Sequence, residues 1–61
     1  MDIKKQKKVM LNEKEILLSR YKITEEYLIE RISEGEDKKT DLIDCQKIIG
    51  ELENIIKFLA K

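Results

Sequence analysis

Nucleophiles, general bases and metal ligands come from a short list of side chains, and this chain offers few of them. Its 61 residues include one cysteine, Cys45, and no histidine. A thiol becomes a nucleophile as the thiolate, which needs a cation or base beside it. No imidazole is available for that task, and Cys45 stands in an apolar repeat with Leu42 and Ile49. Free cysteine is among the most buried residue types, so the expected role of Cys45 is packing. A single cysteine excludes an internal disulfide. Without histidine, a structural zinc site lacks its usual ligands. No catalytic residue, cofactor site or metal site is therefore assigned.

Carboxylates are plentiful, with 13 Asp and Glu in all. Acid–base work needs a pocket that drives two carboxyl pKa values apart. Carboxylates on a short helical scaffold face water instead. Glu26, Glu30 and Glu34 recur every four residues and line one helical face. Such like charges repel mildly along a helix, and together they suit a basic partner. Lys4, Lys5, Lys7 and Lys8 are opposed only by Asp2. They make a small basic patch for possible polyanion contact. No aromatic residue interleaves them, and the formal net charge is zero, so nucleic acid is the alternative partner and not the favoured one. Tyr21 and Tyr27 read as packing residues with hydroxyls at the rim.

The elements that carry these residues are helices. There is no proline, and the two glycines are Gly35 and Gly50. Charged residues make up 43% of the chain, and Ile and Leu dominate its apolar part. That composition favours long amphipathic helices over strands. No apolar run reaches membrane-spanning length, and the basic N-terminus lacks the apolar region of a signal peptide. A lone cysteine suits a reducing compartment, so the expected location is cytoplasmic.

Residues 1–11 read as a basic arm or helix extension. Asn12 can cap a helix, with Glu15 completing a capping box and Leu11 and Ile16 forming a hydrophobic staple. A start before Asn12 is the alternative. The helix runs to about Ser33, with a kink near Lys22 to Thr24 as a second option. A turn at 34–37 follows, with Gly35 suited to the left-handed position past a helix end. The second helix covers about 38–60, capped by Asp37 or Thr40. Its Leu42, Cys45, Ile49, Leu52, Ile56 and Leu59 recur at spacings of 3, 4, 3, 4 and 3, a heptad seam.

A short turn between two such helices predicts an all-α antiparallel hairpin. A bend at Glu36 and Asp37 sets Ile32 against Leu42, Leu28 against Cys45, Tyr21 against Leu52 and Leu17 against Ile56. The hairpin core would then be Leu17, Tyr21, Leu28 and Ile32 with the six seam residues. The arm would project past Lys61 with no intrachain partner. Ile16, Ile23, Tyr27, Ile48 and Ile55 remain as surplus apolar surface. Two hairpins forming a four-helix bundle would bury them, so a homodimer is expected.

In architecture such a chain resembles small two-helix regulators of bacteria and phages. The Ser-Gln-Glu-Leu-Asp signature of one such group of phosphatases is absent, since Asp44-Cys45-Gln46-Lys47-Ile48 does not match it. The resemblance implies no activity and no sites. The functional expectation is a non-enzymatic protein-interaction module, a regulator or adaptor, that self-associates and presents an apolar helix face to a partner protein.

Overall fold

The computed structural model describes residues 3–61. The first two residues of the expected arm lie outside that range. Two helices pack against each other, α1 over Ile3–Ser33 and α2 over Lys39–Leu59, and no strand occurs among the described residues. The molecule is a rod of 51 × 14 × 14 Å.

α1 is continuous. Asn12 lies inside it and caps nothing. Leu11 is half-buried and Ile16 exposed, so the two form no staple. The residues from Ile3 to Leu11 include no Gly or Pro and several good helix formers, Lys, Gln and Met among them. Nothing local stops the helix from extending to Ile3. Thr24 also sits within the helix, its Oγ1 donating back to the Arg20 carbonyl at 3.1 Å. A hydroxyl engaged in this way cannot cap a new helix.

The turn is a Schellman motif. Gly35 has φ +96°, the left-handed region where a Cβ is strained. The Glu36 amide donates to the Arg31 carbonyl at 3.1 Å, and the Gly35 amide to the Ile32 carbonyl at 3.0 Å. An apolar contact commonly ties together the two residues joined by the longer bond. Here those residues are Arg31 and Glu36, and the tie is ionic, 3.3 Å from Nη1 to Oε2. The same guanidinium reaches Glu34 at 3.5 Å and lies over the Tyr27 ring, 5.1 Å from its centroid.

Lys38 takes the N-cap position of α2, with no side-chain cap bond. Its carbonyl accepts the Leu42 amide at 2.9 Å. Neither Asp37 nor Thr40 is the cap. The chain needs Glu36 and Asp37 to leave the Schellman turn, and Thr40 is already in the first turn of the helix. Asp41 in that turn and Lys57 in the last one suit the helix dipole.

The helices meet along one row each. On α2 the row is the seam from Leu42 to Leu59. Cys45, Ile49 and Leu52 are buried, and Leu42, Ile56 and Leu59 half-buried. On α1 the inward row is Leu11, Lys14, Leu18, Tyr21, Glu25, Leu28 and Ile32, with only Leu28 buried. Leu28, Cys45 and Ile49 form the core cluster, and Leu18, Tyr21 and Leu42 pack on it.

This arrangement departs from the expected register. Leu18 faces α2, whereas Leu17 is 37% exposed. Tyr21 and Leu28 are seven residues apart, and either residue 24 or residue 25 can complete the alternation between them. The half-buried Glu25 does so here, and the same row leads back to Leu18. The arm is not unpartnered either. Lys7 Nζ donates to the Lys61 carbonyl at 2.9 Å, and Leu11 shares a shallow groove with Leu59. α1 thus sits about one helical turn further along α2 than a bend at Glu36 and Asp37 implies.

Candidate functional site

Among the described residues, Cys45 is the one reactive group that the fold encloses. The residue is 5% exposed, and its thiol donates to the Tyr21 carbonyl, with Sγ 3.3 Å from O. Burial pushes the thiol pKa up, and the Glu25 carboxylate pushes it further in the same direction. Both causes disfavour the thiolate. The carboxylates of Glu26, Glu30 and Glu34 are exposed along α1. No group of three or more His, Cys, Asp or Glu able to hold a metal ion occurs among the described residues. No described helix is long and apolar enough to cross a membrane. The surface depressions are open and shallow. The one at the open end is lined by Lys4, Lys7, Lys8 and Leu11 of α1 with Leu59, Ala60 and Lys61 of α2.

The remaining feature with chemical consequence is apolar surface. Among the described residues, four hydrophobic residues are buried, whereas eleven large ones are exposed. Such an excess is unusual for a chain that stays alone in water. Helical periodicity sorts part of it into two strips. Leu17 and Met10 lie seven residues apart beside the inward row of α1. Ile48 and Ile55 lie seven apart beside the seam of α2. Both pairs flank their inward rows in the same rotational sense. In antiparallel helices that sense brings them to one edge of the hairpin. The groove shared by Leu11 and Leu59 sets their levels, Ile55 close to Glu15 and Ile48 close to Lys22. Along the rod the order is Met10, Ile55, Leu17, Ile48. Ile48 is half-buried, Ile55 is 40% exposed and Met10 48%. The opposite edge carries Lys8, Glu15 and Lys22 on α1 and Gln46 and Glu53 on α2, with Ile29, 49% exposed, as its large apolar residue.

The second strip is on the back of α1. Ile16 and Ile23 lie two residues from Leu18 and Tyr21, about 200° round the helix from them. They are 56% and 67% exposed, and Val9 continues their seven-residue spacing at 51%. Tyr27 lies between that strip and the edge, 51% exposed, with the Arg31 guanidinium over its ring. The five residues expected at one interface are therefore divided. Ile48 and Ile55 belong to the edge, Ile16 and Ile23 belong to the back of α1, and Tyr27 lies between the two. The expectation pooled them because it counted surplus apolar residues without a direction for each. With Leu18 turned inward, the directions separate. Heptad spacing alone puts Met10 on the Leu17 side once the helix starts before Asn12, as it does here, and Val9 joins the back strip for the same reason.

Comparison with protein-family models, with curated proteins and with solved structures finds no match.

Proposed function

We propose that this chain is a small non-enzymatic protein-interaction module, a regulator or adaptor, that self-associates along one edge and presents the back of α1 to a partner protein. The observation that supports this reading is the excess of exposed over buried hydrophobic residues, sorted into two strips on different faces. A short chain with no disulfide and four buried residues gains little from its own core. Association through the Met10, Leu17, Ile48 and Ile55 edge would supply the missing burial and build a four-helix bundle. The Val9, Ile16 and Ile23 strip would stay open on each copy. Its seven-residue spacing suits the side of a partner helix. Glu26, Glu30 and Glu34 lie beyond it on the same helix and would select a partner with basic flanks.

Sedimentation or light scattering tests the first half. The reading expects a dimer or larger species at tens of micromolar. It also expects dissociation on Leu17→Lys together with Ile55→Lys. A monomer in the unaltered chain would sink the reading.

A second reading, association with nucleic acid, draws on the gathering of lysines at the open end. Lys4, Lys7, Lys8 and Lys61 border one groove there. It expects binding to DNA or RNA that strengthens as ionic strength falls. No binding at low salt rejects it.

A further inference from the structure

The charges divide along the rod. Residues 3–18 and 52–61, at the open end, contain seven lysines against three glutamates. Residues 19–51, at the turn end, contain nine acidic residues against six basic ones. Beside the apolar edge the division holds as a net balance. Lys7 and Lys14 with Glu13 adjoin that edge at the open end, and Glu34, Asp41, Asp44 and Glu51 with Arg20 and Lys38 adjoin it at the turn end. Arg31 is at the turn end too, but Glu34 and Glu36 already engage it.

The apolar edge itself lies near the middle of the 51 Å length, centred close to Leu17. A second copy can cover it about a two-fold axis in two ways. With the axis along the rod, both turns lie at the same end and acidic end meets acidic end. With the axis across the rod near Leu17, the turns lie at opposite ends. The two copies then overlap over most of their length, and each basic end covers an acidic one. α1 would pack on α1 of the second copy, and α2 on α2. Only this second arrangement buries the edge while setting the net-basic end on the net-acidic one. An edge strip displaced toward one end would not permit both at once.

We infer that the occupant of the Met10, Leu17, Ile48 and Ile55 edge is a second copy of this chain, turned head to tail, with its turn over the open end of the first. This rests on the self-association proposed above and adds its orientation. The charge pattern that favours this arrangement disfavours the alternative, so orientation follows from attraction and repulsion together.

Two measurements test it. The first uses the unaltered chain and a carbodiimide, which joins a lysine amine to a carboxylate only when the two touch. Within one chain, Lys61 and Asp41 are about 30 Å apart along α2. A bond between them must therefore join two chains, and such a bond is expected in the dimer fraction. The second attaches a spin label at Ser33→Cys in a Cys45→Ala background. Head-to-tail copies put the labels about 40 Å or more apart, and copies with turns together put them within about 30 Å. A dimer showing only the short distance overturns the orientation and leaves self-association standing. A chain that stays monomeric overturns the self-association reading itself, and this inference with it.

Discussion

The Cys45 thiol spans the hairpin to the backbone carbonyl of Tyr21, with Sγ 3.3 Å from O. A thiol is a weak donor, and the tie matters mainly because it holds the sulfur inside the packed row. The contact joins the seam of α2 to the turn of α1 that carries Leu18 and Tyr21.

Slow alkylation of Cys45 follows from its raised pKa. Iodoacetamide at pH 7.5 should react far more slowly with the folded chain than with the same chain in denaturant. Equal rates would show that the sulfur is not enclosed. Glu25→Gln removes the second cause of the shift and leaves burial, the first, in place. Its folded-state rate should rise only modestly. The shift also ties stability to pH. A thiol whose folded pKa is raised contributes stability that is fully present below its ordinary value, about 8.5, and is lost as pH rises through the folded value. Comparison with Cys45→Ala isolates that contribution from other groups that titrate at alkaline pH. The difference in denaturation midpoint between the two chains should narrow above pH 8.5.

Leu17 and Leu28 distinguish a hairpin core from an association surface. Leu28 is 7% exposed within one chain, and Leu28→Ala should cost about 2–3 kcal/mol at any protein concentration. Leu17→Ala should cost under about 0.5 kcal/mol where the chain is monomeric, as surface substitutions do. As concentration rises and the edge is covered, its cost should grow. Denaturant melts at 1 and 100 micromolar separate the two effects. A concentration-independent loss for Leu17 would place it in the hairpin core after all.

Much of the fold was legible because its signals are local or periodic. The heptad spacing from Leu42 to Leu59 marked α2 and its inward face, and Gly35 marked the turn. Leu28, Cys45, Ile49 and Leu52 are the residues where both rows meet squarely. What was less legible depends on contacts between the helices. The Asn12, Glu15, Leu11 and Ile16 pattern imitates a helix start, but a cap signal cannot end a helix when the preceding residues are themselves good formers. The choice between Leu17 and Leu18 turned on Glu25, a charged residue that a hydrophobicity pattern ignores at an inward position. Arg31 gave no sign of its role, because its partners at 34 and 36 are set by the geometry of the turn. For the surface, composition revealed the excess of apolar residues, and only the register could divide it into two strips.

The two glycines should respond in opposite directions to alanine. Gly35 has φ +96°, so Gly35→Ala is strained even though no atom lies within 4 Å of the added Cβ. A loss of about 1 kcal/mol is expected. Gly50 is inside α2, and its added Cβ also meets nothing within 4 Å. Gly50→Ala should stabilise by up to about 1 kcal/mol through helix propensity. Gly50 is on the side of α2 away from the Ile48 and Ile55 edge, so the substitution should leave self-association unchanged. Loss of the dimer on Gly50→Ala would mean that a second helix approaches there, and that the interface is on the other edge.

Lys14 limits how far the core reaches. It is half-buried in the inward row between Leu11 and Leu18, at the level where Ile56 meets α1. Every buried residue lies on the turn side of it: Leu28 on α1, and Cys45, Ile49 and Leu52 on α2. Lys14 can cover apolar neighbours with its stem while its ammonium stays in water, but the charge keeps the row from closing over Ile56. The open end should therefore be the less stable half. Amides of residues 5–13 and 56–60 should exchange hydrogen faster than those of residues 18–30 and 42–52. Lys14→Leu would replace a partly hydrated side chain with one that packs fully. It should raise stability by about 1 kcal/mol, less than full leucine burial because the lysine stem already covers part of that surface. Slower exchange should follow, concentrated at Leu11 and Leu59, one layer toward the open end from the new contact. A stability gain with no change in exchange at the open end would show that the leucine acts elsewhere, through tighter self-association, since Lys14 also adjoins the Met10 and Leu17 edge. Measurement at low micromolar concentration, where the monomer prevails, separates these outcomes.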